Sequence, residues 1–138
     1  MAKKFMANLL YPKGKENLLL GNFDLSGANI KVALIDTGTY TYSAAHVDIG
    51  DISGVVGTAQ TIANITVTDG IVDGDDVSYT AVTGNSVEAI VIYVDSGVEA
   101  TSYLVAYIDT DVTGLPVTPN GGDIALTWDS GANKIFKL

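Results

Sequence analysis

The sequence contains no cysteine and no arginine, and it has only three prolines and one histidine. Without cysteine, neither a disulfide framework nor a thiolate metal site is possible. No apolar stretch approaches the roughly 20 residues that span a bilayer, so we expect no membrane partner. The apolar run near the start stops at Pro12, too short for the hydrophobic region of a secretion signal. We therefore expect a protein that is made and used without export.

Positive charge is missing from the body of the chain. The formal net charge is −9, and no cationic residue lies between Lys31 and Lys134. Direct binding to nucleic acid needs Lys and Arg against the phosphates, so an acidic body argues against it. The remaining lysines lie near the two ends, which favours docking of the ends onto an acidic surface, including that of a neighbouring copy. The simpler alternative is that the charge serves solubility alone.

No catalytic constellation is present. The chain has no P-loop, no GxGxxG after a strand and no GxSxG. His46 follows Ser43 closely, but a nucleophile and base also need an orienting group and an oxyanion hole. A hydrogen bond is the commoner role for a single loop histidine. The acidic residues fall mostly in turns, where nothing singles out a catalytic pair. We expect a protein that is not an enzyme and takes no cofactor.

Two binding sites are conceivable from composition. The acidic run at Asp69, Asp73, Asp75 and Asp76 suggests calcium, which prefers several carboxylate oxygens. Its spacing lacks the EF-hand pattern, and Asp and Gly are also what β-turns select, so we predict no metal site. The aromatic side chains suggest sugar stacking, but alternation along the strands predicts packing instead; these are Tyr79, Tyr93, Tyr107 and Trp128.

The clearest structural signal is the segment 87–108, which holds two apolar runs joined by a polar link. Residues 87–94 are apolar on nearly both faces of an extended chain, as in a central strand. The link reverses the chain at Asp95-Ser96-Gly97, and residues 103–108 are again β-branched and aromatic. We predict an antiparallel hairpin at the middle of a sheet.

Other strands are predicted around this hairpin, with frequent turns between them. They cover residues 29–36, 77–82, 124–128 and 133–138. A weaker strand signal, broken by Gly57, covers residues 55–67; its best part is 62–68, and a tight turn follows at Asp69-Gly70. A loop or single helical turn is expected over 47–52. Strands this short with almost no helix predict an all-β domain over residues 29–138, an antiparallel β-sandwich that is jelly-roll-like or an open barrel.

Residues 1–28 differ from the rest and are interpreted as a short, partly helical N-terminal arm. Phe5, Met6, Leu9 and Leu10 have spacings compatible with one helical face that ends at Pro12. A second short helix is predicted over residues 13–20, closed by Gly21. The arm either covers one end of its own sandwich or reaches onto another subunit.

Nearly the whole chain resembles a family of small head proteins encoded by tailed bacteriophages and prophages. The most specific segments are GLPVTPNGGD and the ending WDSGANKIFKL, and YPKGKENLLLG, IKVALIDTGTYTYSAAH and VTDGIVDGDDVSYTAV resemble the same family. Members with an assigned role are head decoration (capsid cement) proteins on the outside of the shell. The chain departs from the family over 47–56, where related chains carry a longer loop.

The resemblance implies a virion structural protein, made in the host bacterial cytoplasm, that binds the major capsid protein on the outer capsid surface and stabilises the shell. Weak contacts suffice in such a role because many copies act together. By analogy with other decoration proteins it implies a homo-oligomer, with a trimer favoured. The arm residues expected to grip the shell are Lys3, Lys4, Phe5, Leu9, Leu10, Tyr11, Lys13 and Lys15.

Two alternatives remain open at this stage. A tail or head–tail joining protein would form a ring and occur in roughly six or twelve copies per virion instead of hundreds. A carbohydrate- or calcium-binding attachment module would be retained on a polysaccharide or stabilised by calcium.

Overall fold

The computed structural model describes residues 9–26, 29–110, 112–132 and 134–138. The described residues contain one α-helix, α1 (Pro12–Leu19), and two single 3-10 turns, Ile49–Asp51 and Glu99–Thr101. The strands are β1 (Leu9–Leu10), β2 (Ile30–Ile35), β3 (Val55–Thr61), β4 (Thr66–Thr68), β5 (Ile71–Asp73), β6 (Val77–Tyr79), β7 (Ala89–Val94), β8 (Leu104–Ile108), β9 (Val112–Thr113), β10 (Ile124–Trp128) and β11 (Phe136–Lys137). None of the described helices is long and apolar enough to cross a membrane.

The main layer is a five-stranded antiparallel sheet with the order β1-β8-β7-β2-β3. Its centre is the predicted hairpin, in which Val91 lies opposite Tyr107 and Ile92 opposite Ala106. On the other side of β7, all six residues of β2 pair with β7 in continuous register. Every residue of β7 and of β8 is buried, which explains why these strands are apolar on both faces.

Two smaller antiparallel sheets, β6-β10-β9 and β11-β5-β4, complete the fold. In β10 the residues are alternately buried and exposed, so that Ile124, Leu126 and Trp128 face the core. This is the pattern of a sheet with one face in solvent. Together the three sheets make an all-β antiparallel sandwich, as the sequence predicts.

The main sheet separates two hydrophobic clusters. The larger cluster contains Val32, Leu34, Ile90 and Ile92 from one face of the main sheet, together with core residues of the smaller sheets such as Leu126. The second cluster contains Ala33, Ile35 and Val91 from the opposite face and is rich in tyrosine. Alternation along β2 and β7 therefore sends successive side chains into different cores.

Most predicted elements are confirmed, and two are wrong. The 47–52 turn, the hairpin and the 124–128 strand are present, and β4 and β5 are joined at Asp69-Gly70 as expected. Leu9 and Leu10 are not helical but form β1 on the edge of the main sheet. In the weak strand signal over 55–67, the preference for 62–68 is wrong: the strand that pairs with β2 is β3, residues 55–61, and only residues 66–68 of the preferred part form a strand.

Candidate partner-binding surface

The described part of the N-terminal arm is folded against the main sheet. Leu9 and Leu10 pair with Tyr107 and Ala106 of β8, and the Tyr11 amide donates a hydrogen bond to the Val105 carbonyl at 3.0 Å. Residues 9–26 of the arm therefore cover their own sandwich, which is the first of the two interpretations of the arm. Phe5 and Met6 lie outside the described residues.

Helix α1 begins at Pro12 and ends in a hydrogen-bonded cap. Pro12 stands in the first turn, where its missing N–H costs nothing. At the other end Gly21 has φ of 76°, and its amide donates to the Leu18 carbonyl while the Asn22 amide donates to the Asn17 carbonyl. These two bonds form a Schellman motif, which needs a left-handed residue at the Gly21 position. The predicted closure by Gly21 is confirmed.

A glycine allows the helix to lie close to β8. Gly14 is buried, and a Cβ atom there would overlap the backbone carbonyl oxygen of Leu104. Only a residue without a side chain fits this approach. The helix is therefore held rigidly on the sheet.

The end of α1 carries two strongly exposed leucines. Leu19 is 87% exposed and Leu20 is 68% exposed, whereas Leu18 packs against the larger core. We call Leu19 and Leu20 the helix-end patch. The sequence prediction missed them, although one signal was available: successive helical residues are about 100° apart, so three consecutive leucines cannot all face one core.

Tyr11 anchors the arm from inside the second cluster. Its side chain is fully buried, and its hydroxyl lies 2.8 Å from the Tyr40 hydroxyl, which lies 2.8 Å from Nδ1 of His46. Its ring lies 5.1 Å from that of Tyr42. Burial is the main cause that raises the pKa of the Tyr11 hydroxyl, with the hydrogen bond to Tyr40 adding to it, so this group stays neutral at ordinary pH. The hydrogen bond predicted for His46 is confirmed.

A cleft of about 440 Å³ opens between the two ends of the chain. We call it the terminal cleft; the residues that line it are Leu9, Leu10, Lys15, Ala106, Ile108, Val112, Trp128, Asp129, Lys134, Ile135, Phe136 and Lys137. The fold thus brings a lysine of the N-terminal helix together with two lysines from the end of the chain. Among the described residues that line it, Asp129 is the one acidic residue.

The structure divides the predicted capsid-contact residues into three groups. Lys3, Lys4 and Phe5 lie outside the described residues. Leu9 and Leu10 are half-buried in β1, and Tyr11 has no exposed surface, so the prediction that Tyr11 offers a docking surface is wrong. Lys13 and Lys15 lie on α1, where Lys13 forms an exposed ion pair with Glu16 at 2.9 Å.

The acidic run does not converge on a cation-binding geometry. The Asp75 carboxylate accepts a hydrogen bond from the Asn64 side chain, and the Asp76 carboxylate accepts one from the Trp128 amide. In the described residues no group of three or more His, Asp or Glu side chains is arranged to hold a metal ion. The carboxylates serve turns and strand ends, as turn chemistry predicts.

The aromatic residues singled out from the sequence are packed inside the fold. Tyr79, Tyr93, Tyr107 and Trp128 are all at least 90% buried. The Tyr79 hydroxyl donates to the Val32 carbonyl at 2.8 Å, and the Trp128 indole N–H donates to the Asp75 carbonyl at 2.9 Å. Burial raises the pKa of Tyr107 to about 12. The prediction that these aromatic side chains pack in the interior is confirmed.

Comparison with known proteins adds no identification. A scan against models of protein families gave no match. A search of curated proteins found none with significant similarity.

Proposed function

We propose that this protein is a phage head decoration protein that binds the outer surface of the capsid shell and stabilises it. The proposal joins the family resemblance of the sequence to one structural observation. That observation is the helix-end patch, two exposed leucines, the first of them one helical turn after Lys15, on a chain with a net charge of −9. Its partner would be the major capsid protein, and its location the outside of the virion.

The geometry of α1 suits a contact that must form without reorganisation. The Schellman cap fixes the end of the helix, and Gly14 and Tyr11 fix its start against β8. A preorganised surface loses little entropy on binding. Covering exposed leucines with a partner lowers the free energy of the complex. Lys15 adds attraction to an acidic surface, whereas the charge of Lys13 is partly balanced by its ion pair with Glu16.

Weak individual contacts are sufficient for this role. A shell offers many symmetry-related sites, and an oligomer that engages several of them gains avidity without any new contact. We propose a homo-oligomer, with the trimer favoured by analogy. The central sheet, which is buried on both faces, then serves as the body that bridges neighbouring capsomers.

The test replaces the patch by the double substitution Leu19→Ser and Leu20→Ser. Even if each leucine contributes only about 1 kcal/mol, roughly one third to two thirds of the value of full burial, their loss weakens binding by roughly 30-fold. Binding is measured by co-sedimentation of purified protein with expanded, undecorated phage heads.

The matched control is Val67→Ser, which removes an exposed apolar side chain (47% exposed) on β4. The control protein should bind as the unaltered protein does. If the double variant retains full affinity while remaining folded, the helix-end patch is not the capsid contact.

A further inference from the structure

The terminal cleft combines buried apolar side chains, which we call its apolar floor and which include Ile108 and Phe136, with charged ones. The charged side chains that line it are three lysines, Lys15, Lys134 and Lys137, and one carboxylate, Asp129, so the positive charge is in excess among its described residues. Among the described residues, none of these three lysines takes part in an ion pair. A cleft of this chemistry fits a segment that presents an apolar side chain flanked by carboxylates.

This chain carries such a segment at the opposite end of β8. Val98 is 60% exposed and is followed by Glu99, also exposed. Asp48 and Asp51 lie on the neighbouring 3-10 turn, which the Ile49 amide ties to the Ser102 carbonyl at 2.9 Å. We call these four residues, Asp48, Asp51, Val98 and Glu99, the acidic end.

Hydrogen bonds hold the acidic end in one conformation before any partner binds. The Asp48 carboxylate accepts from the Gly50 amide, and the Asp51 carboxylate accepts from the Val47 and Asp48 amides. Ser96 and Ser102 fix the base of the Val98 loop through side-chain hydrogen bonds. Little ordering of this loop would be required on binding.

A copy cannot fill its own cleft with its own acidic end. The Val98 loop ends where β8 begins, while the cleft contacts Ile108, the last residue of β8. Ala106 and Ile108 of the cleft lie two and four extended residues beyond the start of β8, about 7 and 13 Å along the strand, and the loop is held at both ends by the paired strands β7 and β8. Contact between the two surfaces therefore requires two molecules.

We infer that copies of this chain associate head to tail, with the acidic end of one copy entering the terminal cleft of the next. Val98 contacts the apolar floor, and Glu99 with its neighbouring aspartates faces the three lysines. Such a contact uses two different surfaces, so it either closes into a ring or continues as a chain. This inference rests on the homo-oligomer of the proposed function and deepens it by naming the two surfaces through which copies meet; self-association itself can be measured without any capsid.

Sedimentation velocity of the purified protein over a range of concentrations, at low and high salt, tests it. A cleft variant carries Lys134→Glu with Lys137→Glu, and an end variant carries Glu99→Lys. We expect the unaltered protein to associate at low salt and to dissociate as salt rises. Each variant alone should associate at least about tenfold more weakly, the value of a few exposed ion pairs.

A 1:1 mixture of the two variants gives the sharpest result. The cleft variant keeps its original acidic end, which fits the original cleft of the end variant. The charge-reversed cleft of the first variant and the charge-reversed end of the second also attract each other. The mixture should therefore associate more strongly than either variant does alone. Lys13→Glu, which changes a lysine that does not line the cleft, should leave association unchanged.

Several results would overturn the inference. They are an unaltered protein that stays monomeric at low salt, variants that associate as well as the unaltered protein, or a mixture that remains monomeric. Binding to undecorated heads by a protein that does not self-associate would refute this inference and the proposed homo-oligomer, and it would leave capsid binding through the helix-end patch standing.

Discussion

Tyr11 provides the most quantitative test of how the N-terminal segment is held. Its side chain is fully buried in the second cluster, so Tyr11→Ala deletes a large aromatic ring from a packed interior. Deletions of this size cost about 4 kcal/mol of the free energy of unfolding. For a chain of this length that corresponds to a fall in Tm of about 12 °C.

Tyr11→Phe separates packing from hydrogen bonding. It removes one buried hydrogen bond and leaves the Tyr40 hydroxyl bonded to Nδ1 of His46. The expected cost is therefore about 1 kcal/mol, or about 3 °C in Tm. Tyr40→Phe should cost more, because it removes the partner of both Tyr11 and His46.

Urea unfolding followed by circular dichroism measures all three variants. The order of destabilisation should be Tyr11→Ala first, Tyr40→Phe second and Tyr11→Phe third. If Tyr11→Ala costs less than about 1 kcal/mol, the ring is not part of the packed interior. The docking of β1 and α1 on β8 would then be refuted with it.

Two further predictions concern the helix and the acid limit of stability. Gly14→Ala should lower stability by about 2 kcal/mol because its Cβ overlaps the Leu104 carbonyl, although Ala normally favours a helix. Gly21→Ala has open space around its Cβ, but the left-handed backbone, with φ of 76°, should still make it cost about 1 kcal/mol. Thermal denaturation compares the two variants. Hydrogen bonds that the Asp36 carboxylate accepts, led by the Gly38 amide and followed by Thr39, lower its pKa, so the unfolded chain takes up this proton at higher pH than the folded chain does. The stability that the ionised Asp36 carboxylate contributes is present above about pH 4 and is lost as pH falls through the pKa of the folded state. Urea titrations at neutral and acidic pH measure this loss, and Asp36→Asn should make it smaller. An unchanged loss would contradict the role given to Asp36.

Much of the fold follows from local sequence patterns. β2, β7 and β8 are recognisable because their side chains are apolar on both faces, and the structure buries both faces of each central strand. The closure of α1 follows from the single Gly21. In both cases a short-range rule and the tertiary structure require the same residue types.

The errors arise where a partner strand determines the conformation. Leu9 and Leu10 have a spacing that suits a helix, but they pair with the edge of β8 and form β1. β3 contains Gly57 with φ of 69° and a register shift opposite Val32 and Leu34, so its own sequence is a poor strand signal. Pairing with β2 outweighs that weak propensity.

The candidate surface was foreseen only in part. The lysines at the two chain ends were visible in the sequence, but their meeting at one cleft depends on contacts between residues more than 100 positions apart. The burial of Tyr11 depends on Tyr40 and His46, which no spacing rule connects to it. Long-range packing of this kind leaves no periodic signal in one sequence.

The proposed role as a decoration protein requires binding to the outside of the capsid shell in many copies. The direct measurement is the number of copies bound at saturation per undecorated head, determined by quantitative gel densitometry of sedimented particles. A decoration protein should bind in hundreds of copies, as a surface lattice of equivalent sites requires. Binding limited to roughly six or twelve copies would indicate a head–tail joining role, and no binding to intact heads would contradict the account outright.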